Sequence, residues 1–245
     1  MKILLTFILT FIVTSSYSQY WEYEINFEDT NEFFRLEIDT VSNSNNIWQI
    51  GSPDKTIFKS AFSEPNVIIT DSINCYPTND TSSFIIKHAV DVISGFVNVH
   101  TATIGGRYYV NSDTLTDYGI LEISPDNGET WINLISDTTY LNKNCYTWWS
   151  PKPIFSGNSN SWVEFTVWVA GFGPEFNMQI EDTVLYKFSF ISDNNESNKD
   201  GLMFDNLHFE DWYEGINSIN IKQIISKAFP NPTNDWITIE FENPK

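Results

Sequence analysis

The sequence predicts an all-β fold, an antiparallel sandwich or barrel, and three observations carry that prediction. Short runs of alternating apolar and polar residues recur along the chain, separated by Gly, Pro, Asn and Asp. No long stretch shows a 3.6-residue apolar period before about Ile219. At the centre, Tyr118-Gly119-Ile120-Leu121-Glu122-Ile123 and Ile132-Asn133-Leu134-Ile135 flank Ser124-Pro125-Asp126-Asn127-Gly128-Glu129-Thr130-Trp131, a β-hairpin around a Pro-Asp-Asn-Gly turn. In that turn Gly128 supplies a positive φ, Asp126 accepts hydrogen bonds from turn amides, and Trp131 covers the turn as the return strand starts.

The remaining elements follow in order. Tyr20 to Asp29 alternates aromatic and acidic residues and suits a half-buried strand. Ile47-Trp48-Gln49-Ile50 is a strand that ends in Gly51-Ser52-Pro53. Val67 to Thr70 and Ser83 to Lys87 are short strands, Phe96 to Thr101 alternates cleanly, and Tyr108 to Val110 follows. Past the hairpin the segment ending in Trp148-Trp149-Ser150-Pro151 reads as a loop. From Trp162 to Ala170, Trp162, Glu164, Thr166 and Trp168 share one face, with Val163, Phe165, Val167 and Val169 on the other. Val184 to Phe190 and Gly201 to Phe209 complete the set. Residues 19–213 are therefore one β-domain and 214–226 a linker. In 227–245 the rigid Pro230-Asn231-Pro232 turn precedes a strand from Trp236 to Phe241. The chain stops at Lys245 soon after, so it reads as truncated at its C-terminus.

Residues 1–18 read as a secretory signal peptide: Met1-Lys2, an apolar run from Ile3 to Val13, and small residues at Ser16 and Ser18, with cleavage after Ser18. The run is too short to span a bilayer and no later stretch is long enough, so no membrane span is expected in the mature chain. The 245 residues carry a formal net charge of -19, with Arg35 and Arg107 the two arginines. Such a surface repels phosphate backbones, which excludes nucleic acid as a partner and leaves glycans and surface proteins. Export permits a disulfide, and Cys75–Cys145 is the one intramolecular pairing available; the alternative is two buried free thiols.

The Ser-x-Asp-x-Gly-x-Thr-Trp stretch resembles the Asp-box of sialidases and many secreted β-proteins, a folding device rather than a catalytic one, in which Asp126, Gly128 and Trp131 serve the turn. Phe27-Glu28-Asp29, Trp48-Gln49-Ile50-Gly51-Ser52-Pro53, Ala61-Phe62-Ser63, the Gly119 to Trp131 hairpin and Asp200 to Leu207 together resemble, over residues 20 to 212, the MAM-like, concanavalin A-like jelly-roll domains found beside peptidase domains and in surface proteins of the Bacteroidetes. Glu64-Pro65 replaces the glycine usual after that serine. The resemblance narrows the fold to a jelly-roll sandwich and implies a structural calcium ion held by Glu28 and Asp205, with carbonyls around Ser60 to Glu64 as further ligands. The alternative is that both acids are solvated or capped by turn amides. Phe229-Pro230-Asn231-Pro232 through Ile239 looks like the start of the sorting domain read by type IX secretion machinery, which implies delivery outside the cell or to its outer surface.

The sequence holds no His-Glu-x-x-His, Gly-x-Ser-x-Gly, phosphate loop or Cys-x-x-Cys. His88, His100 and His208 lie far apart, and with 32 acidic residues spacing singles out no acid–base couple. One box and two arginines argue against a sialidase. Trp148 and Trp149, in a polar loop, are the candidate binding residues, because indoles stack on the apolar faces of sugar rings; Trp162 and Trp168 read more readily as core. The function expected is an exported, non-catalytic module for surface adhesion or for binding a glycan or protein. The rivals are a glycan-active hydrolase and an accessory domain of a larger secreted protease.

Overall fold

The computed structural model describes residues 19–29, 35–41, 43–88, 101–170, 175–176, 183–213, 226–229 and 238–241. They fall into two compact units, one spanning Tyr20–Tyr213 and one containing the C-terminal segment from Glu214. The expected signal peptide, the Phe96 to His100 run, Pro230-Asn231-Pro232 and Trp236 lie outside the described residues.

The larger unit is an antiparallel β-sandwich. One sheet runs β3 (Trp48–Gly51), β4 (Val67–Thr70), β12 (Gly201–Tyr213), β6 (Thr101–Asn111), β10 (Val163–Ala170) and β9 (Tyr146–Trp148), with β1 (Gln19–Ile25) also pairing β12. The other runs β2 (Leu36–Ile38), β5 (Thr81–His88), β11 (Val184–Ile191), β7 (Tyr118–Ser124) and β8 (Ile132–Asn133). A one-turn helix, α1 (Thr139–Asn142), precedes β9. In the smaller unit β13 (Ser226–Phe229) pairs antiparallel with β14 (Thr238–Phe241). Ser226, read as linker, is thus a strand residue, and the C-terminal strand has a partner upstream that periodicity did not reveal.

The core forms where the period-2 faces of the two sheets meet. Along β10 Phe165, Val167 and Val169 are fully buried while Glu164 is exposed and Thr166 and Trp168 are half-buried, the alternation expected from sequence. Phe84 and Phe188, cross-strand partners on β5 and β11, stack at 4.8 Å. Phe188 meets Phe204 of β12 at 4.9 Å. Filling this space with large apolar rings is the main source of stability, at roughly 25 cal/mol for each Å² of apolar surface removed from water.

Two differences from the sequence reading have physical causes. β6 is one continuous strand of 11 residues, whereas the sequence reading has strand at Thr101 and at Tyr108 to Val110 and nothing between. Gly105 makes room there: a β-carbon at this position would overlap the His208 imidazole of the adjacent strand. The register shifts between Asp205 and His208, and Asn206 at the shift has φ 47°. This bulge turns Phe204, Leu207 and Phe209 all toward the core. The second difference is β9, read as loop, which pairs with β10 because Tyr146 and Trp148 both pack on the core.

The β7–β8 hairpin is present, with Glu122 opposite Asn133 and Ile123 opposite Ile132. Asp126 Oδ1 accepts from the Thr130 amide at 2.8 Å and Oδ2 from Thr130 Oγ1 at 2.7 Å. Gly128 has φ +93° and its amide donates to Ser124 Oγ at 2.8 Å. Trp131 is half-buried, with the Lys187 ammonium 4.1 Å above its ring and that lysine paired to Glu122 at 2.7 Å. Gly128→Val should therefore lower stability by about 1–3 kcal/mol, since a β-branched residue resists this φ. Trp131→Ala should cost less than the roughly 3–5 kcal/mol of a fully buried indole. Urea unfolding midpoints measure both, and an unchanged midpoint for Gly128→Val would contradict the turn assignment.

Candidate functional site

The long connection between β3 and β4 has no strand or helix of its own, so its amides need partners. Carboxylates on or beside β12 supply them. Asp200 Oδ2 accepts from the Ile57 and Phe58 amides at 2.5 and 2.8 Å. Asp205 Oδ2 accepts from the Phe62 and Ser63 amides at 2.8 and 2.7 Å, and its Oδ1 from Ser63 Oγ and the Asn206 amide at 2.8 and 2.7 Å. Glu28 holds the end of the same connection, accepting from the Asn66 amide at 2.6 Å and Asn66 Nδ2 at 2.8 Å. Lys55, also buried, donates from Nζ to the carbonyls of Thr70 and Asp200. Burial pushes its pKa down to about 8, against the opposing pull of Asp200 and Asp71.

Glu28 and Asp205 thus reach one loop, and β1 pairs β12 as first and last strands of a sandwich commonly do. The loop presents amides to Asp205 where the sequence reading expected carbonyls. A buried carboxylate needs donors, and four engage about four lone-pair positions on Asp205. Burial raises the Asp205 pKa, with those donors opposing it. Among the described residues no group of three or more His, Cys, Asp or Glu side chains is arranged to hold a metal. The Asn206 Oδ1 atom is buried without a hydrogen-bond partner beside Asp205.

With the connection held down, Phe58, Ala61, Val67, Ile69 and Met203 form a second small core on the outer face of the seven-stranded sheet, flanked by Tyr109 and Trp162. Phe62 emerges from it 46% exposed, 6.1 Å from Trp162 and with the Arg107 guanidinium 4.1 Å over its ring. Arg107 pairs with Glu164, its register partner, at 3.3 Å. At the other end of this face Trp149 is 59% exposed and lies nearly parallel to Trp168, ring centroids 6.4 Å apart. The Trp149 amide donates to the Thr166 carbonyl at 2.9 Å, which fixes its backbone beside β10.

The two candidate indoles therefore separate. Trp148 pairs with inward-facing Val167, packs against the main core and donates from Nε1 to the Leu134 carbonyl at 3.3 Å. Trp149, the next residue, faces outward by strand alternation and takes Trp168 as its neighbour. Trp162 and Trp168, read as core, are both half-buried on this outer face. Strand periodicity marked that face, but β9 had to be recognised as a strand before Trp149 could be placed on it.

The expected Cys75–Cys145 disulfide is not formed: Cys75 is an exposed free thiol and Cys145 a buried one. Cys145 immediately precedes β9 and Cys75 follows β4, and three strands lie between β4 and β9. At about 4.8 Å per strand spacing the separation far exceeds the ~7 Å limit between bridged Cα atoms. Burial raises the Cys145 thiol pKa. His88 is buried with Nδ1 3.1 Å from Tyr186 Oη, and His208 lies over Gly105, so these two histidines sit in different surroundings.

No protein family matches the chain. No curated protein matches it either. Among solved structures it is similar to the K2 cleaved adhesin domain of Lys-gingipain, at 16% identity and a TM-score of 0.46 over 77% of this chain and 99% of that one. It is also similar to the xylan-binding domain from CBM 22, at 9% identity and 0.43 over 81% and 96%. A mannan-recognising carbohydrate-binding module, TmCBM27, aligns at 11% identity and 0.36 over 79% and 98%.

Lys55 gives the locus a pH signature. Its folded pKa of about 8 lies below the ordinary 10.5. Between those values the unfolded chain holds a proton that the folded chain has released, so stability rises with pH through this window. Below pH 8 the folded state carries the full cost of a buried ammonium. Tyr146, pushed up to about 12 by burial, works in the opposite direction above pH 10. The stability of the native protein relative to Lys55→Met should therefore increase by about 2–3 kcal/mol from pH 7.5 to pH 10. Urea unfolding of both proteins at the two pH values measures it, and a constant difference would refute the assignment.

Proposed function

We propose that this chain is an exported, non-catalytic jelly-roll module of MAM-like type that binds glycans at the cell surface, contacting them through Trp149 and Trp168. The observation that carries the reading is Trp149, a large aromatic 59% exposed just past the end of β9, yet held beside Trp168 with its amide bonded to the Thr166 carbonyl. An exposed indole held in place offers a flat apolar surface at little ordering cost, which is what the apolar face of a pyranose requires. The acidity of the chain, net -19, favours neutral partners over polyanions. The sequence resemblances supply the rest: the signal peptide and Pro230-Asn231-Pro232 point to type IX secretion and to an extracellular or outer-surface address. A surface protein could use the same aromatic contact, and it is the alternative partner.

Affinity electrophoresis in gels containing neutral polysaccharides tests the reading. The native protein should be retarded by at least one of them. Trp149→Ala should weaken that binding tenfold or more, about 1.4 kcal/mol, with its melting temperature unchanged. No retardation by any polysaccharide would remove the glycan reading. Release of reducing ends during the assay would replace it with the hydrolase.

A structural calcium ion at Glu28 and Asp205 belongs to the same proposal. Calcium takes hard oxygen ligands, and the buried carboxylate of Asp205, the Glu28 carboxylate and the unpartnered Asn206 Oδ1 are oxygens of that kind. Glu28 carries the open capacity, since each of its oxygens accepts one hydrogen bond, whereas Asp205 would exchange an amide for the ion. A bound ion would tie β1 to the β3–β4 connection and offset the charge buried there. The melting temperature should rise with calcium, fall with chelator, and lose this response in Glu28→Gln. A melting curve unmoved by chelator would take the ion out of the account.

A further inference from the structure

Trp149 and Trp168 occupy only one end of the outer face. Trp168 lies four residue steps along β10 from Glu164, about 13 Å at 3.2–3.4 Å per residue. At that second position Glu164 and Arg107 form an ion pair whose side chains stay 62% and 31% exposed. The guanidinium is fixed from below by the Phe62 ring at 4.1 Å. Phe62 is in turn positioned by Asp205, which accepts its amide. Between the two ends Thr166 lies opposite Gly105, and the His208 imidazole occupies the space that a side chain at Gly105 would take.

We propose that this face is an extended cleft for several consecutive units of a linear, uncharged polysaccharide lying along β10. One sugar ring stacks at Trp149 and Trp168, and hydroxyls of a unit further along the chain bond to Arg107 and Glu164. Two observations select this occupant. The spacing of the two ends exceeds one pyranose ring, so a monosaccharide reaches only one of them. Arg107 is already neutralised by Glu164 on a chain of net charge -19, so the cleft offers a carboxylated or sulfated chain no net attraction. A planar guanidinium and a carboxylate side by side present donors and acceptors together, which suits vicinal hydroxyls. Asp205 is a positioning residue here, acting through Phe62.

This inference rests on the glycan reading, and the test separates the two. Titration calorimetry is run with cello-, xylo- and manno-oligosaccharides from disaccharide to hexasaccharide. Affinity for one series should rise at least about tenfold with length. Arg107→Met and Glu164→Gln should each abolish that rise while leaving disaccharide affinity unchanged. Trp149→Ala should weaken binding at every length. Two variants at the polar end keep the test open if one fails to fold, since Glu164 is exposed and Arg107 only half-buried. Affinity independent of length, with Trp149 still required, would overturn the extended cleft and leave the glycan reading standing. Preference for an oligogalacturonate over the neutral series would overturn the cleft's selectivity. Absence of binding throughout would overturn both.

Discussion

Carboxylates that accept backbone amides govern the outer architecture of this sandwich. Asp200 and Asp205 each take two amides from the segment that joins β3 to β4. That segment has no ladder of its own, and an amide buried without a partner costs about 1–3 kcal/mol. Charged acceptors are the stronger kind, so a few of them can hold a long irregular connection flat against a sheet. Everything on that side follows: the small core around Phe58 and Met203, the exposure of Phe62, and the fixed seat of Arg107 above it. Lys55 completes the arrangement by donating to two carbonyls at the same junction.

The inner and outer sides of the seven-stranded sheet show how one periodicity serves two ends. On β10 the inward residues fill the core with Phe165, Val167 and Val169. The outward residues of the same strand, Glu164, Thr166 and Trp168, stand beside Trp149 and Arg107. The opposite sheet treats its surface indole differently, since Lys187 lies over Trp131 and Glu122 holds that lysine in place. A tryptophan capped by a salt-bridged ammonium is closed to a flat ligand, whereas Trp149 has another indole for a neighbour.

Much of the fold was legible in the sequence because strands announce themselves by period 2. The two faces of Val163 to Ala170 fall where alternation puts them, and Val67 to Thr70, buried on both faces, shows as a short β-branched run. The hairpin at Gly128 was legible because a positive φ has few chemical solutions. What escaped was set by contacts distant in sequence. The segment between Thr101 and Tyr108 was not placed in a strand, and Gly105 in it makes room for His208, a hundred residues later. Tyr146 to Trp148 has too few residues to show a period and becomes a strand only because β10 offers an edge. The two cysteines looked like a pair because composition carries no information on strand order. Glu28 and Asp205 were brought together by a family resemblance; nothing local to either residue indicates the loop they share.

The strand order also bears on when this chain can fold. β12, the last strand of the sandwich in sequence, lies in the interior of its sheet between β4 and β6, and β11, the next to last, lies between β5 and β7. Neither sheet can be assembled outward from the N-terminus. Until β12 has left the ribosome, β4 and β6 have no common neighbour, and the aromatic core lacks Phe204. Pairings this remote in sequence form slowly, because much chain entropy is lost before the contacts that compensate it. A polypeptide whose keystone arrives last leaves its strand edges without their native partners for most of its synthesis.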